Sequence, residues 1–302
     1  MTDTRPVVLK AEHLGITFGG LKAVSDFNME IHEGELMGLI GPNGAGKTTA
    51  FNCITGVYEP TNGRVDFLGE PIVCNHPHGK MKKIYAGEGA ERYLDQRVVS
   101  YTPDVITKRG IARTFQNIRL FKSMTVFENV LTAMHVRRTS NVFSATFRGN
   151  RKEEAAQRAK ALELLKAVGL DDVKDELATA LPYGKQRRLE IARALATEPQ
   201  LLLLDEHTAA LDPATAEKVL ELTKSIVAEK KITCLMVTHN MHQALELGNR
   251  TLMMDGGRIV FDVKGKERRK MTVDDLLEKF RENAGKALDN DRILLSKVEA
   301  GN

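Results

Sequence analysis

The stretch GPNGAGKT (41–48) spaces its glycines and a Lys-Thr pair as G-x-x-x-x-G-K-[ST]. Glycines let the backbone N–H groups of such a loop point inward at phosphate oxygens. The lysine neutralises β- and γ-phosphate charge, and the hydroxyl after it can ligate Mg²⁺. On this reading Gly41, Pro42, Asn43, Gly44, Ala45, Gly46, Lys47, Thr48 and Thr49 hold the phosphates of ATP, and Thr48 also holds the metal. Such a loop needs an acidic partner. LLLLDE (201–206) supplies four leucines for a buried strand, then Asp205 and Glu206 at its end. Asp205 is expected to hold Mg²⁺ through water, and Glu206 to orient or deprotonate the attacking water.

A third stretch, LPYGKQRRLEIARAL (181–195), reads as the opening of a helix that caps a nucleotide with Leu181, Pro182, Tyr183, Gly184 and Lys185. Pro182 is the residue out of place. It has neither a backbone N–H nor a hydroxyl, so the tip gives up two donors. Proline does suit the first turn of a helix, where the N–H is unpaired anyway.

The elements that must carry these groups follow from local pattern. VVLKAEHLGITF (7–18) has roughly alternating β character, and residues 34–56 give a short apolar strand, a glycine-rich turn and a helix ending at Gly56. TNGRVDFLG reads as a turn and a strand. Residues 70–108 show no sustained period and read as an inserted surface excursion. TVFENVLTAMHV and EEAAQRAKALELLKAVGL have helical spacing, with Gly169 as a C-terminal cap, and RRLEIARALA continues to Pro199. QLLLLDE and KITCLMVTH are short, apolar, buried strands. The alternation predicts an α/β fold with a mainly parallel sheet. A helical subdomain is expected at about 110–198, within a nucleotide-binding domain of residues 1–262. A helix-prone extension, 263–302, follows.

Composition excludes several classes. A net charge of +4, from 44 basic and 40 acidic residues, is too mild to argue for nucleic acid. Three widely spaced cysteines, Cys53, Cys74 and Cys234, do not make a disulfide framework and favour a reducing compartment. No apolar run approaches the ~20 residues of a membrane span, so a membrane role must come through a partner. CNHPH offers Cys74, His76 and His78, but three ligand types on one loop with no distant fourth argue for surface chemistry over a metal site. The basic run KGKERRK (264–270) could touch acidic headgroups, but it is short and contains Glu267, so a solvated hinge is the better reading.

Over residues 5–262 the chain resembles the nucleotide-binding subunits of ABC transporters. The motifs GPNGAGKTT, RTFQ, LPYGKQ, LLLLDE, AALD and VTHN appear in that family's order. The resemblance implies a P-loop NTPase (RecA-like) core with an antiparallel β subdomain and an inserted helical subdomain. It implies that Gln116 senses Mg²⁺ and couples to membrane subunits, and that His239 contacts the γ-phosphate. Asp212 falls in the D-loop, and Phe18 stands where an aromatic ring stacks on adenine, although a core phenylalanine would fit the pattern too. The signature of one subunit closes over the phosphate loop of a second in a head-to-tail dimer. The family normally has serine at position 182 and glutamine at position 185. Lys185 brings a positive charge that can partly compensate for Pro182.

The finer resemblance is to importer ATPases for branched-chain amino acids, through ITFGGLKAVSDFNMEIHEGEL, GIARTFQNIRLFKSMTVFENVL and QRRLEIARALATEPQLLLLDE. These imply two transmembrane permease subunits, a second ATPase, an extracytoplasmic binding protein and a place on the cytoplasmic face of the inner membrane. From about residue 205 the chain looks more like importer ATPases for aromatic or uncharacterised substrates, and His207 stands where proline is common. ABC ATPases of translation or DNA repair usually carry two cassettes, and only one phosphate loop is present here. A weakly hydrolysing regulator is favoured by Pro182 and opposed by Glu206, Gln116 and His239.

Overall fold

The computed structural model describes residues 4–77, 89–137, 151–206, 208 and 211–284. In chain order the main elements are β1 (Val7–Phe18), β2 (Leu21–His32), β3 (Leu36–Ile40), α1 (Lys47–Ile54), β4 (Asn62–Phe67), β5 (Glu70–Asn75), β6 (Val99–Ser100), α2 (Pro103–Arg109), β7 (Ile111–Arg113) and α3 (Val126–Met134). Then come α4 (Arg151–Ala167), α5 (Tyr183–Ala196), β8 (Leu201–Asp205), α6 (Pro213–Glu229), β9 (Thr233–Val237), α7 (Met241–Glu246), β10 (Arg250–Asp255), β11 (Arg258–Lys264), α8 (Gly265–Lys270) and α9 (Val273–Ala284). The chain forms two compact units, one running through Ile106 and resuming at Thr233, the other Thr107–Ile232.

In the first unit β1 pairs antiparallel with β2, from Val7↔His32 to Phe18↔Leu21, and β4, β5 and β6 extend that antiparallel sheet. Gly19 and Gly20 make the two-residue turn, both at positive φ (58° and 128°), the conformation that a tight hairpin demands. The parallel part centres on β3. It lies between β10 and β9, with Leu252↔Leu39 on one side and Leu39↔Val237 on the other. All of Met37–Ile40 and Thr233–Val237 are buried, as strands covered on both faces must be. Because β3 and β9 are parallel and in register, the loop after Ile40 and the segment after Val237 leave at the same end. Ligands bind at the carboxyl ends of parallel strands.

In the second unit β7 and β8 are parallel, Ile111↔Leu201 to Arg113↔Leu203. Helix α3 opens on a capping box: Thr125 accepts the Glu128 N–H and Glu128 accepts the Thr125 N–H. Helix α5 comes close to α6. A Cβ built on Gly184 would lie 2.5 Å from Thr215 Cγ2, so a larger residue there would have to displace the Thr215 side chain.

The expected excursion at 70–108 is largely regular where it is described. Residues Glu70–Asn75 form a strand with Ile72, Val73 and Cys74 buried in succession, and Pro103–Arg109 is helical. Three consecutive buried residues erase the alternation that would have marked this strand. His78 lies outside the described residues, as does His207.

Candidate nucleotide site

The phosphate loop is shaped by close backbone approach. Gly41, Gly44 and Gly46 all have positive φ (151°, 81° and 97°). A Cβ on Gly41 would lie 2.1 Å from the Met254 carbonyl oxygen, and one on Gly46 would lie 2.4 Å from that of Ala23. Glycine is therefore the residue these two positions accept. Gly46 is also the N-cap of α1 and offers no side-chain acceptor to the first helical N–H groups. Uncapped helix N-termini of this kind favour anions. Lys47 is buried, and its Nζ donates to the carbonyls of Gly41 (2.8 Å) and Pro42 (2.9 Å), so the ammonium is folded back against the loop. Thr48 and Thr49 are half-buried on the first turn of α1, while Asn43 and Gly44 are exposed.

His239 is half-buried two residues past the end of β9. Its neighbours are fixed. The Thr238 N–H donates to the Leu39 carbonyl (3.2 Å), tying the segment to the strand that feeds the phosphate loop. The Asn240 side chain accepts the Gln243 N–H (3.1 Å) and starts α7. Phe18 is 45% exposed, which rejects the core reading. Its ring meets Tyr58 edge-on at 5.4 Å. The β1–β2 register sets Phe18 opposite Leu21, two residues from Ala23, the residue that touches Gly46.

In the second unit Asp205 ends β8 fully buried, and its Oδ2 accepts from Arg113 Nη2 at 2.7 Å. Glu206 follows at φ 46°, a left-handed conformation that is rare away from glycine. Gln116 Nε2 donates to Glu206 Oε2 at 2.8 Å. Two residues assigned separately are thus in contact, with the amide orienting the carboxylate.

The same unit holds the signature. Pro182 is the N-cap of α5 (φ −55°, ψ 151°), one position earlier than the first helical turn expected for it. The correction matters, because the N-cap side chain normally accepts an N–H of the first turn. Proline cannot, and no side chain caps this helix. Gln186 donates its backbone N–H to the Pro182 carbonyl (3.0 Å) and its side-chain amide to that of Leu181 (2.8 Å). The exposed Tyr183 and Pro182 line a groove of about 780 Å³ together with Lys166, Lys185, Arg188 and Lys218, a basic setting for phosphate. Lys185 lies 3.5 Å from Asp172, so part of the charge expected to offset Pro182 is already engaged. Asp212 also lines the groove, and its carboxylate caps α6 by accepting the Thr215 N–H (3.0 Å). Hydrogen bonding from the Thr215 hydroxyl, and next from this N–H, holds its pKa below the usual carboxylate value.

Beneath the signature lies a pair that sequence reasoning missed. Arg187 is fully buried and donates to Glu190 Oε2 (2.6 Å) and to the carbonyls of Phe115 (2.7 Å) and Gln116 (2.8 Å). Glu190 Oε1 accepts the N–H groups of Phe115 (3.3 Å) and Arg119 (3.4 Å). The signature helix therefore grips the segment that carries Gln116. Burial pushes the Glu190 carboxyl up, with Arg187 opposing it. The signal was the i,i+3 spacing of opposite charges on a helix face that also carries Ile191 and Ala194. Cys74 is buried, its thiol beside Gln96 Oε1 (3.4 Å), and no cluster of three His, Cys, Asp or Glu able to hold a metal occurs among the described residues. Among them, too, no helix is long and apolar enough to cross a membrane.

Known proteins align with this geometry. The ABC transporter family model matches residues 24–209. The branched-chain amino acid transport ATP-binding protein BraF of Pseudomonas aeruginosa is 34% identical over 261 residues, covering 86% of this chain and 92% of its own. LivG of Escherichia coli, of the same description, is 34% identical over 252 residues, 83% and 89%. A tyrosine transport ATP-binding protein of Clostridioides difficile is also 34% identical, over 84% and 89%. Among solved structures, the ADP conformation of MJ1267, an ATP-binding cassette of an ABC transporter, superposes with a TM-score of 0.70 at 27% identity, covering 91% of this chain and 98% of its own. The motif order, the parallel strands ending in phosphate loop and histidine, and these matches agree: this chain belongs to the ABC transporter family, as an ATP-binding transport ATPase subunit.

Proposed function

We propose that the chain is the Mg²⁺-dependent ATP-hydrolysing subunit of an importer for branched-chain amino acids. The observation that carries hydrolysis is Glu206, buried, held in a left-handed conformation and oriented by Gln116. Lys47 and the N–H groups of residues 44–48 bind the β- and γ-phosphates. The hard-oxygen donors Thr48 and Asp205 would hold Mg²⁺. Gln116 also senses the ion. The metal would supply charge neutralisation at the phosphoryl oxygens. Glu206 accepts a proton from the attacking water, and His239 donates to a γ-phosphate oxygen. Phe18 stacks on adenine. Leu181–Lys185 of a second ATPase subunit close over this loop, with Asp212 beside them at the interface.

The coupling partners are transmembrane permease subunits served by an extracytoplasmic binding protein, with this chain at the cytoplasmic face. BraF and LivG support branched-chain amino acids as the cargo. The tyrosine-transport relative supports an aromatic cargo as the second reading. Pull-down from the native host identifies the permease and binding protein. Leucine-stimulated ATP turnover in the reconstituted assembly is the expected result. Stimulation by tyrosine and not leucine would favour the second reading, and no turnover with either would overturn both.

A further inference from the structure

Arg268 lies in the basic run KGKERRK, expected from its sequence to be a solvated hinge, but the run forms helix α8 and Arg268 is only 5% exposed. Its guanidinium is directed at one target. Nη2 donates to the carbonyls of Ala244 (2.6 Å) and Leu247 (2.5 Å), Nη1 to that of Gly248 (2.7 Å), and Nε to Thr251 Oγ1 (2.8 Å). Thr251 Oγ1 in turn donates to the Ala244 carbonyl (3.0 Å). These carbonyls close α7, the Met241–Glu246 helix. The last carbonyls of a helix lack intrahelical donors and carry partial negative charge, so a cation there is favourable. A helix of six residues does not hold itself together and depends on such contacts.

The other end of α7 begins at its N-cap Asn240, the residue after His239. The Asn240 N–H donates to Thr238 Oγ1 (3.1 Å), and Thr238 Oγ1 donates to Gln243 Oε1 (3.1 Å), so the residues either side of the histidine are locked to the first turn of α7. Leu276 and Phe280 of α9 add an apolar hold. They pack with Met241 and Ala244 of α7 and with Ile40, the residue before Gly41.

We propose that Arg268 is a positioning residue for ATP hydrolysis: by capping the C-terminal end of α7 it holds His239, at the opposite end, in register with the phosphate loop. The inference rests on the ATPase reading above. It makes the C-terminal segment part of the hydrolytic apparatus although it touches no nucleotide.

The test is a double-mutant cycle in the assembled transporter with Arg268→Ala, Arg268→Lys, His239→Ala and the Arg268→Ala/His239→Ala pair. Val65→Ala, in the antiparallel sheet, serves as a destabilised control. Arg268→Ala is expected to lower kcat about 10- to 100-fold, the range for displaced catalytic groups, with KM for ATP nearly unchanged. Arg268→Lys is expected to restore part of the loss. In the His239→Ala background the second substitution adds little, because both act through one group. Amide exchange over residues 239–247 is expected to quicken in Arg268→Ala and not in Val65→Ala. Equal kcat losses in the two backgrounds, or a lowered Tm with kcat and exchange intact, overturn the proposal and leave the ATPase reading standing. A wild-type assembly without turnover overturns that reading, and this one with it.

Discussion

In the unit that carries the phosphate loop, the groups proposed to face ATP are backbone N–H donors, Lys47, Thr48, His239 and Phe18, and the loop itself is shaped by glycines pressed against neighbouring carbonyls. In residues 107–232 the corresponding work falls to side chains. Arg113 holds Asp205, Gln116 holds Glu206, and the Arg187–Glu190 pair holds the Gln116 segment. The first arrangement is rigid because nothing larger than hydrogen fits. The second is held by charge and hydrogen bonding. A Cβ breaks the first, and an isosteric loss of charge breaks the second.

Three substitutions and a titration sharpen that contrast. The largest effect is expected from Glu206→Gln, which keeps the shape and removes the base. Turnover should fall by roughly 10²–10⁴-fold with ATP affinity retained, as measured by steady-state hydrolysis beside nucleotide binding. Gly46→Ala tests the other unit. Strain at positive φ and the clash with the Ala23 carbonyl together cost about 2–5 kcal/mol, read as lost ATP affinity at unchanged net charge. If affinity survives, the close-approach account of the loop is wrong.

Pro182→Ser comes next. It restores a hydroxyl and an N–H at the N-cap, each hydrogen bond to phosphate contributing about 1.5–3 kcal/mol. Turnover of the assembly should therefore rise by roughly ten-fold or more, with a helix-cap gain of about 1 kcal/mol in thermal stability. A stability gain without a rate gain would show that the serine contact is dispensable here.

The smallest effect is in pH. A carboxyl raised by burial, like Glu190, favours the native state while protonated. Its contribution is present below the ordinary value of 4.5 and is lost as pH rises through the folded-state value. Glu190→Gln should flatten that portion of the stability curve in a denaturant titration at stepped pH.

Much of the frame was legible locally. The strand–loop–helix at 36–54 and the strands ending at Asp205 and Val237 follow from runs of apolar residues punctuated by glycine. Less legible were the strand at 70–75, where consecutive residues are buried, and Pro182, whose cap position depends on where α5 begins. Lys185 illustrates a different limit. Its charge was readable, but its proximity to Asp172, thirteen residues earlier, was not.

By itself the sequence determined the chemistry: a phosphate loop, an acidic strand end, a signature helix and a histidine after a buried strand, all in one order. Those signals act over a few residues, through glycine φ angles, apolar period and helix start, and need no folded neighbour to be read. Only the tertiary structure decided who holds whom. Gln116 and Glu206 are 90 residues apart, Arg113 and Asp205 are 92 apart, and Arg268 caps a helix ending more than twenty residues before it. Buried charges take their partners from whatever the fold brings within hydrogen-bond reach, and an arginine in a polar tail looks the same in sequence whether it meets water or the end of a helix.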